Sequence, residues 1–352
     1  MEPNEIFAQR LKNARVMKGL SMDDLVHRMD HIVSKMTVSK YENCQLSPNS
    51  SVLVSLSRAL DLPFDYFFRP FTLEVNSVKF RKNNKKLSAK LENSIKETML
   101  DLIERYIYIE EICHAAVNFK SPATDIVHNN EDVKKAVRQV RAAWDIGSDG
   151  ILNVIELLEE HGVKVMEFDA PGSFDGLSSV VNGIYPVVIL NKSFSSERKR
   201  FTALHELGHL ILNFASGISE SDEEKLCNFF ASEMLISEEV FKRRLGITRH
   251  DISYQELKEL QIRFGISCEA LMHKARLYDV ISEQRYKTFR VLKSKNAVLK
   301  TMIERSLYPA EESCRFVSLV YKALSSELIT VSKAASLLNQ STEQVRKDLT
   351  LV

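Results

Sequence analysis

The sequence has little that would take it into or across a membrane. Met1-Glu2-Pro3-Asn4-Glu5 has no basic stretch followed by an apolar core, so no secretory signal is expected. The longest apolar runs, such as Tyr185 to Leu190, are far too short to span a bilayer. Cysteine is sparse: Cys44, Cys113, Cys227, Cys268 and Cys314 lie far apart with no C-x-x-C pair. That spacing fits reduced thiols better than a disulfide framework and makes the cytoplasm the expected location. There is also no excess of one charge. With 48 basic and 47 acidic residues the net charge is +1, which argues against a chain that coats nucleic acid or membrane along its whole surface. A local basic patch is still compatible with it. No internal repeat of fixed period occurs. What is present is 44% hydrophobic residues over 352 positions, enough for real cores in two or three soluble domains.

From Glu5 to Phe68 the pattern reads as five short helices. The first runs from Ile6 to Met17 and Gly19 stops it; Ser21 caps a second, with Asp23 and Asp24 in its first turn. A connection from Asp30 to Val33 leads to a third helix, about Ser34 to Asn43. Pro48 and Asn49 open a fourth, and Phe64 to Phe68 forms the last segment. Lys79, Arg81, Lys82, Lys85, Lys86 and Lys90 follow without an acidic residue among them, a solvated linker or a phosphate-contacting extension. A long helix is expected over residues 89–117 and another over 131–144. Strands are expected at 163–168, 178–181 and 186–190, separated by the turn dipeptides Asp175-Gly176 and Asn182-Gly183. Beyond Phe241 the pattern is helical to Val352.

His205 and His209 are four residues apart, so on a helix both imidazoles face one side and can reach one ion. Glu206 projects about 100° from His205, where a carboxylate can take a proton from water without being a ligand. A catalytic zinc needs three protein ligands and an open position, so a third must come from elsewhere. Glu220, Asp222, Glu223 and Glu224 crowd the start of a further helix. Glu224 shares a face with Asn228 one turn on, which makes it the expected ligand and Asn228 a polar neighbour; Glu223 is the alternative. Gly208 inside the histidine helix costs roughly 1 kcal/mol relative to alanine and so points to close packing against a neighbour. Cys227 reads as a buried structural thiol rather than a ligand.

The run from Arg198 to His209 resembles the zinc helix of the ImmA/IrrE-type metallopeptidases. Asn228 to Leu235 resembles their second helix, and Phe174-Asp175-Gly176 with Ile189-Leu190-Asn191 resembles their lead-in. The likeness covers about residues 147–245. It implies a zincin-like α+β fold, zinc as cofactor, and a glutamate four residues before Asn228 as third ligand, which favours Glu224 over Glu223. Cys227, Ser237 and Asn213 stand where that family often has alanine, proline and a nearby histidine.

The tight turn between the second and third N-terminal helices is what a helix-turn-helix reader requires. The third helix would then present Lys35, Met36, Thr37, Ser39 and Lys40 to double-stranded DNA. A small helical domain could equally dock onto a protein. Ile32 to Asn43, with Ser47-Pro48 and Leu56 to Leu62, resembles the Cro/repressor-type domain of the XRE family, which implies DNA binding. The turn is about two residues longer than the common form, and Cys44 stands where glycine is frequent.

The expectation is therefore a mainly α protein in four parts. Residues 1–70 form a helix-turn-helix domain, 71–145 a helical linker with the basic stretch, 146–245 an α+β metallopeptidase core with a small sheet, and 246–352 a helical C-terminal region. The two resemblances together imply a DNA-binding regulator whose zinc peptidase cleaves a protein, such as a repressor, in a stress or mobile-element response. The alternative is a transcription factor whose zinc domain senses a ligand or is structural. No membrane is involved, and a homodimer is left open.

Overall fold

Short polar side chains decide where the N-terminal helices begin. Ser21, Ser34 and Asn49 each accept a backbone N–H in the first turn of the helix they open, satisfying a donor that would otherwise be orphaned. The result is α1 (Pro3–Met17), α2 (Met22–Arg28), α3 (Lys35–Glu42) and α4 (Ser50–Leu60), then a 3-10 turn, Phe64–Phe68. Phe7, Leu11, Leu25, Met29, Val38 and Leu56 bury their side chains in one core. Arg15 and Glu42 pair at 2.6 Å to fix α1 against α3. The long turn before α3 is made by Asp30 and His31, both in the left-handed region at φ 50° and 57°. Cys44 is left-handed too, at φ 58°, a conformation that favours glycine.

This computed structural model describes residues 2–73 and 88–349. The basic residues from Lys79 to Lys86 lie outside the described residues; Lys90 is in α5 (Ala89–Ile112). That helix ends five residues earlier than the periodicity suggests. His114 turns left-handed at φ 49°, and His114 N–H and Ala115 N–H close back on the carbonyls of Glu111 and Glu110. The pattern is a C-terminal stop made without glycine.

The rest of the chain comprises β1 (Ile126–Val127), α6 (Asn130–Ala143), α7 (Val154–Glu160), β2 (Lys164–Phe168), β3 (Gly176–Val181) and β4 (Tyr185–Asn191). Then come α8 (Ser196–Ile211), β5 (Asn213–Phe214), α9 (Glu220–Leu235), α10 (Glu238–Leu245), α11 (Tyr254–Phe264) and α12 (Cys268–Leu277). The last elements are α13 (Glu283–Lys295), α14 (Ala297–Glu304), α15 (Arg315–Ser325), α16 (Val331–Leu338) and α17 (Thr342–Asp348). No helix among the described residues is long and apolar enough to cross a membrane.

The chain divides into two units, and the division differs from the four-part expectation. The first unit holds α1–α5 together with α15–α17. Ile109 of α5 shares a core with Leu319, Val320, Ala323 and Leu337, and Arg10 pairs with Glu104 at 2.7 Å. The second unit, residues 117–313, has a single continuous core from Ala123 to Ile303. Residues 246–313 are therefore part of the domain that holds the histidine helix, while 314–349 return to the first unit. Apolar side chains that share one core set these boundaries, and sequence position does not.

In the second unit the sheet order is β2-β4-β3, with β2 parallel and β3 antiparallel to β4. The apolar run of β4 is buried on both faces, as a central strand should be. Asn191 at its end is fully buried and donates to the carbonyls of Ala170, Pro171 and Phe174, tying down the β2–β3 connection. Among the described residues β3 is an edge of this sheet, and α8 packs across β3 and β4. The two-residue parallel pair β1–β5 gave no signal in the sequence because no alternation can show over two positions.

Candidate metal centre

Helix α8 brings the predicted pair together. Its N-cap, Ser195, fixes the start, and three turns later His205 Nε2 and His209 Nε2 lie 3.1 Å apart. Glu224, in the second turn of α9, puts one carboxylate oxygen 3.4 Å from His205 Nε2 and the other 2.9 Å from His209 Nε2. Glu223 is not in this cluster, so of the two adjacent glutamates it is Glu224 that faces the histidines. Asn228 is exposed and contributes to the raised pKa of His205.

These three donors fit a small cation. With one ligand atom from each residue, the three lie within 4.8 Å of one another, a spacing that a zinc ion with three protein ligands can bridge. The electrostatics lead to the same conclusion. Burial would lift the Glu224 carboxyl, yet hydrogen bonds from His205 and His209 outweigh it and pull it down to about 2. Burial opposes a charged His205, but Glu224, Glu206 and Asn228 together raise its pKa above the ordinary value. A positive charge is thus favoured where the three donors meet.

Two glycines let this geometry form. A Cβ on Gly208 would lie 3.3 Å from both Cys227 Sγ and Phe230 Cδ1, so the close packing expected of this residue is against α9. A Cβ on Gly176 would lie 2.6 Å from Thr202 Cγ2 and 2.7 Å from the Ile189 carbonyl. Its absence lets β3 approach α8. That approach brings the buried Ser178 hydroxyl to the buried Glu206 carboxylate, to which it donates at 2.6 Å. Cys227 Sγ stands 3.3 Å from His209 Nδ1 and is fully buried. It is not a donor to the cluster. A ligating histidine needs a partner for its other ring nitrogen to fix the tautomer, and the thiol occupies that place. Sequence reasoning missed Ser178, and it read Cys227 as structural only.

The five residues expected at the DNA face divide into two groups. Lys35, Met36 and Lys40 are exposed, with Lys35 Nζ held 2.6 Å from Asp23. Thr37 and Ser39 are half-buried and locally engaged: Thr37 Oγ1 lies 2.9 Å from Ser34 Oγ, and Asn43 donates to both the hydroxyl and the carbonyl of Ser39.

Residues 158–276 match the family model of the IrrE N-terminal-like domain, a peptidase family, and residues 11–67 match that of the helix-turn-helix. No curated protein matches the chain significantly. The peptidase-family match extends beyond Leu245 through α11 and α12, in agreement with the continuous core of the second unit. The chain therefore joins an XRE-type helix-turn-helix domain to an IrrE-type peptidase-family domain.

Proposed function

We propose that this is a cytoplasmic DNA-binding transcriptional regulator whose second unit is a zinc-dependent peptidase. In this reading it cleaves a repressor or another regulatory protein in a stress or mobile-element response. The observation that carries the reading is Glu206: a buried carboxylate beside three metal-competent donors, held by Ser178, and not one of the donors. A closed structural site has no use for such a group.

His205, His209 and Glu224 would hold the zinc. When bound it supplies Lewis acidity, polarising a peptide carbonyl and lowering the pKa of water. Glu206 takes the proton of the attacking water and returns it to the leaving amine. Ser178 donates to one carboxylate oxygen, which leaves the other free to face the water.

Proteomics of cells carrying Glu206→Gln tests this reading directly: a regulatory protein should accumulate that is cleaved in the wild type. If no protein changes in abundance or fragmentation, the proteolytic role is wrong. For the reader, Lys35 and Lys40 are the proposed phosphate contacts, Met36, Thr37 and Ser39 the residues nearest the bases, and a two-fold pair the mode of binding. Each of Lys35→Ala and Lys40→Ala should lower the slope of log affinity against log salt by about 1 on any duplex. Unchanged slopes in both variants would instead make the domain a protein-docking module.

A further inference from the structure

Two short helices near the end of the chain follow the pattern of α2 and α3. Thr330 caps α16 and Ser341 caps α17, as Ser21 and Ser34 cap α2 and α3. Ala334 and Ala335 are buried four and five residues after their cap, and so are Leu25 and Val26. Asn339 ends α16 in the left-handed region at φ 53°, where Asp30 stands at φ 50° after α2. Val345 and Val38 are each fully buried four residues after the second cap. Thr330 and Ser341 are eleven positions apart and Ser21 and Ser34 thirteen, so the C-terminal turn lacks the two extra residues of the N-terminal one. Helix α15 completes a three-helix arrangement: its Leu319, Val320 and Ala323 share a core with Ala334, Leu337 and Val345. Asp65 accepts from Ser336 and lies 3.4 Å from Lys333 Nζ, which fastens this arrangement to the N-terminal helices within one unit.

Burial separates this pair from an ordinary helical hairpin. Helices α11 and α12 also meet at a left-handed residue, Gly265, and a serine cap, Ser267. However, α12 buries Cys268, Leu271, Met272, Lys274 and Ala275, which sets that helix into the core. In α17 only Val345 is buried, while Thr342, Glu343, Gln344, Arg346 and Lys347 are all exposed. Lys347 holds the position that Lys40 holds in α3. Exposed cations beside an amide and a carboxylate suit a duplex: Arg and Lys meet phosphates, Gln reads adenine, and Glu accepts from cytosine. The exposed face of α17 carries no apolar side chain, whereas a protein partner would need apolar or aromatic anchors at its centre.

The geometry points to α17 as a second DNA-reading helix, with Glu343 and Gln344 toward the bases and Arg346 and Lys347 on phosphates. The inference rests on the DNA-binding reading of the N-terminal domain and adds a second contact to it. In the test, the full chain selects a duplex from a random pool. Affinities of the wild type and the variants for that duplex are then measured over a range of salt. Arg346→Ala and Lys347→Ala should each lower the slope of log affinity against log salt by about 1, and Arg346→Lys should keep it. Gln344→Ala should weaken binding to the selected duplex by at least about fivefold and leave binding to random duplex unchanged. If all the α17 variants bind as the wild type does, this inference is overturned, and the first reader then stands or falls on Lys35→Ala and Lys40→Ala alone. If the wild type shows no salt-dependent binding to any duplex, both readings fail together.

Discussion

Replacing Glu206 with glutamine is expected to leave one zinc per chain and to slow cleavage by about 10²–10⁴-fold, the range contributed by a positioned general base. The amide keeps the shape of the carboxylate, and its oxygen still accepts from Ser178, so the groove should be unchanged. What is lost is the ability to take and return a proton. Ser178→Ala provides the graded comparison. It leaves the carboxylate chemically intact but unanchored on one side, and an orienting partner of this kind is worth about 10–100-fold. Single-turnover cleavage and zinc content, measured on both variants, separate the two roles. Full activity in Glu206→Gln would remove Glu206 from the chemistry.

The largest effect on stability is expected at Arg200. It lies on α8 two turns before His209, is fully buried, pairs with Glu311, and donates to the carbonyls of Ile151 and Phe264. Glu311 accepts the Val154 N–H at 3.0 Å, and Tyr308 stacks its ring 4.2 Å from the guanidinium carbon. Removing one side of such a pair leaves the other charge buried without compensation, at a cost of about 3–5 kcal/mol. Arg200→Met should lose about that much. Arg200→Met with Glu311→Leu should recover most of it, because neither charge then remains. The sole tryptophan, Trp144, is buried in the same unit and stacks on His161, so its fluorescence reports the unfolding of that unit alone. A loss under 1 kcal/mol in the single variant would mean that the network is dispensable.

The parts of this site that lie within one helix could be read from the sequence. His205, Glu206 and His209 occupy fixed angles on a helix whatever the fold, and Glu224 stands at a fixed interval before Asn228. Ser178 could not be read in this way. It lies 28 residues before Glu206 on another element, and the two meet only because Gly176 lets β3 approach α8. The partnership of Cys227 with His209 is likewise an inter-helix contact, invisible to spacing along one chain. In α3, the helix proposed to face DNA, the sequence could not show how Thr37 and Ser39 are engaged. Their hydroxyls are drawn into hydrogen bonds with Ser34 and Asn43, a local competition that residue type alone does not reveal. The return of residues 314–349 to the first unit was hidden for a related reason: amphipathic spacing marks a buried face without naming its partner.

His205, His209 and Glu224, from two helices, are proposed to form one metal site. Zinc content and X-ray absorption at the zinc edge, on the purified full chain and on Glu224→Ala, test it most directly. One zinc per chain is expected, held by two imidazole nitrogens and a carboxylate oxygen, with a loss of affinity of at least about tenfold in the variant. A chain that binds no zinc, or one that binds it equally well without Glu224, would contradict it.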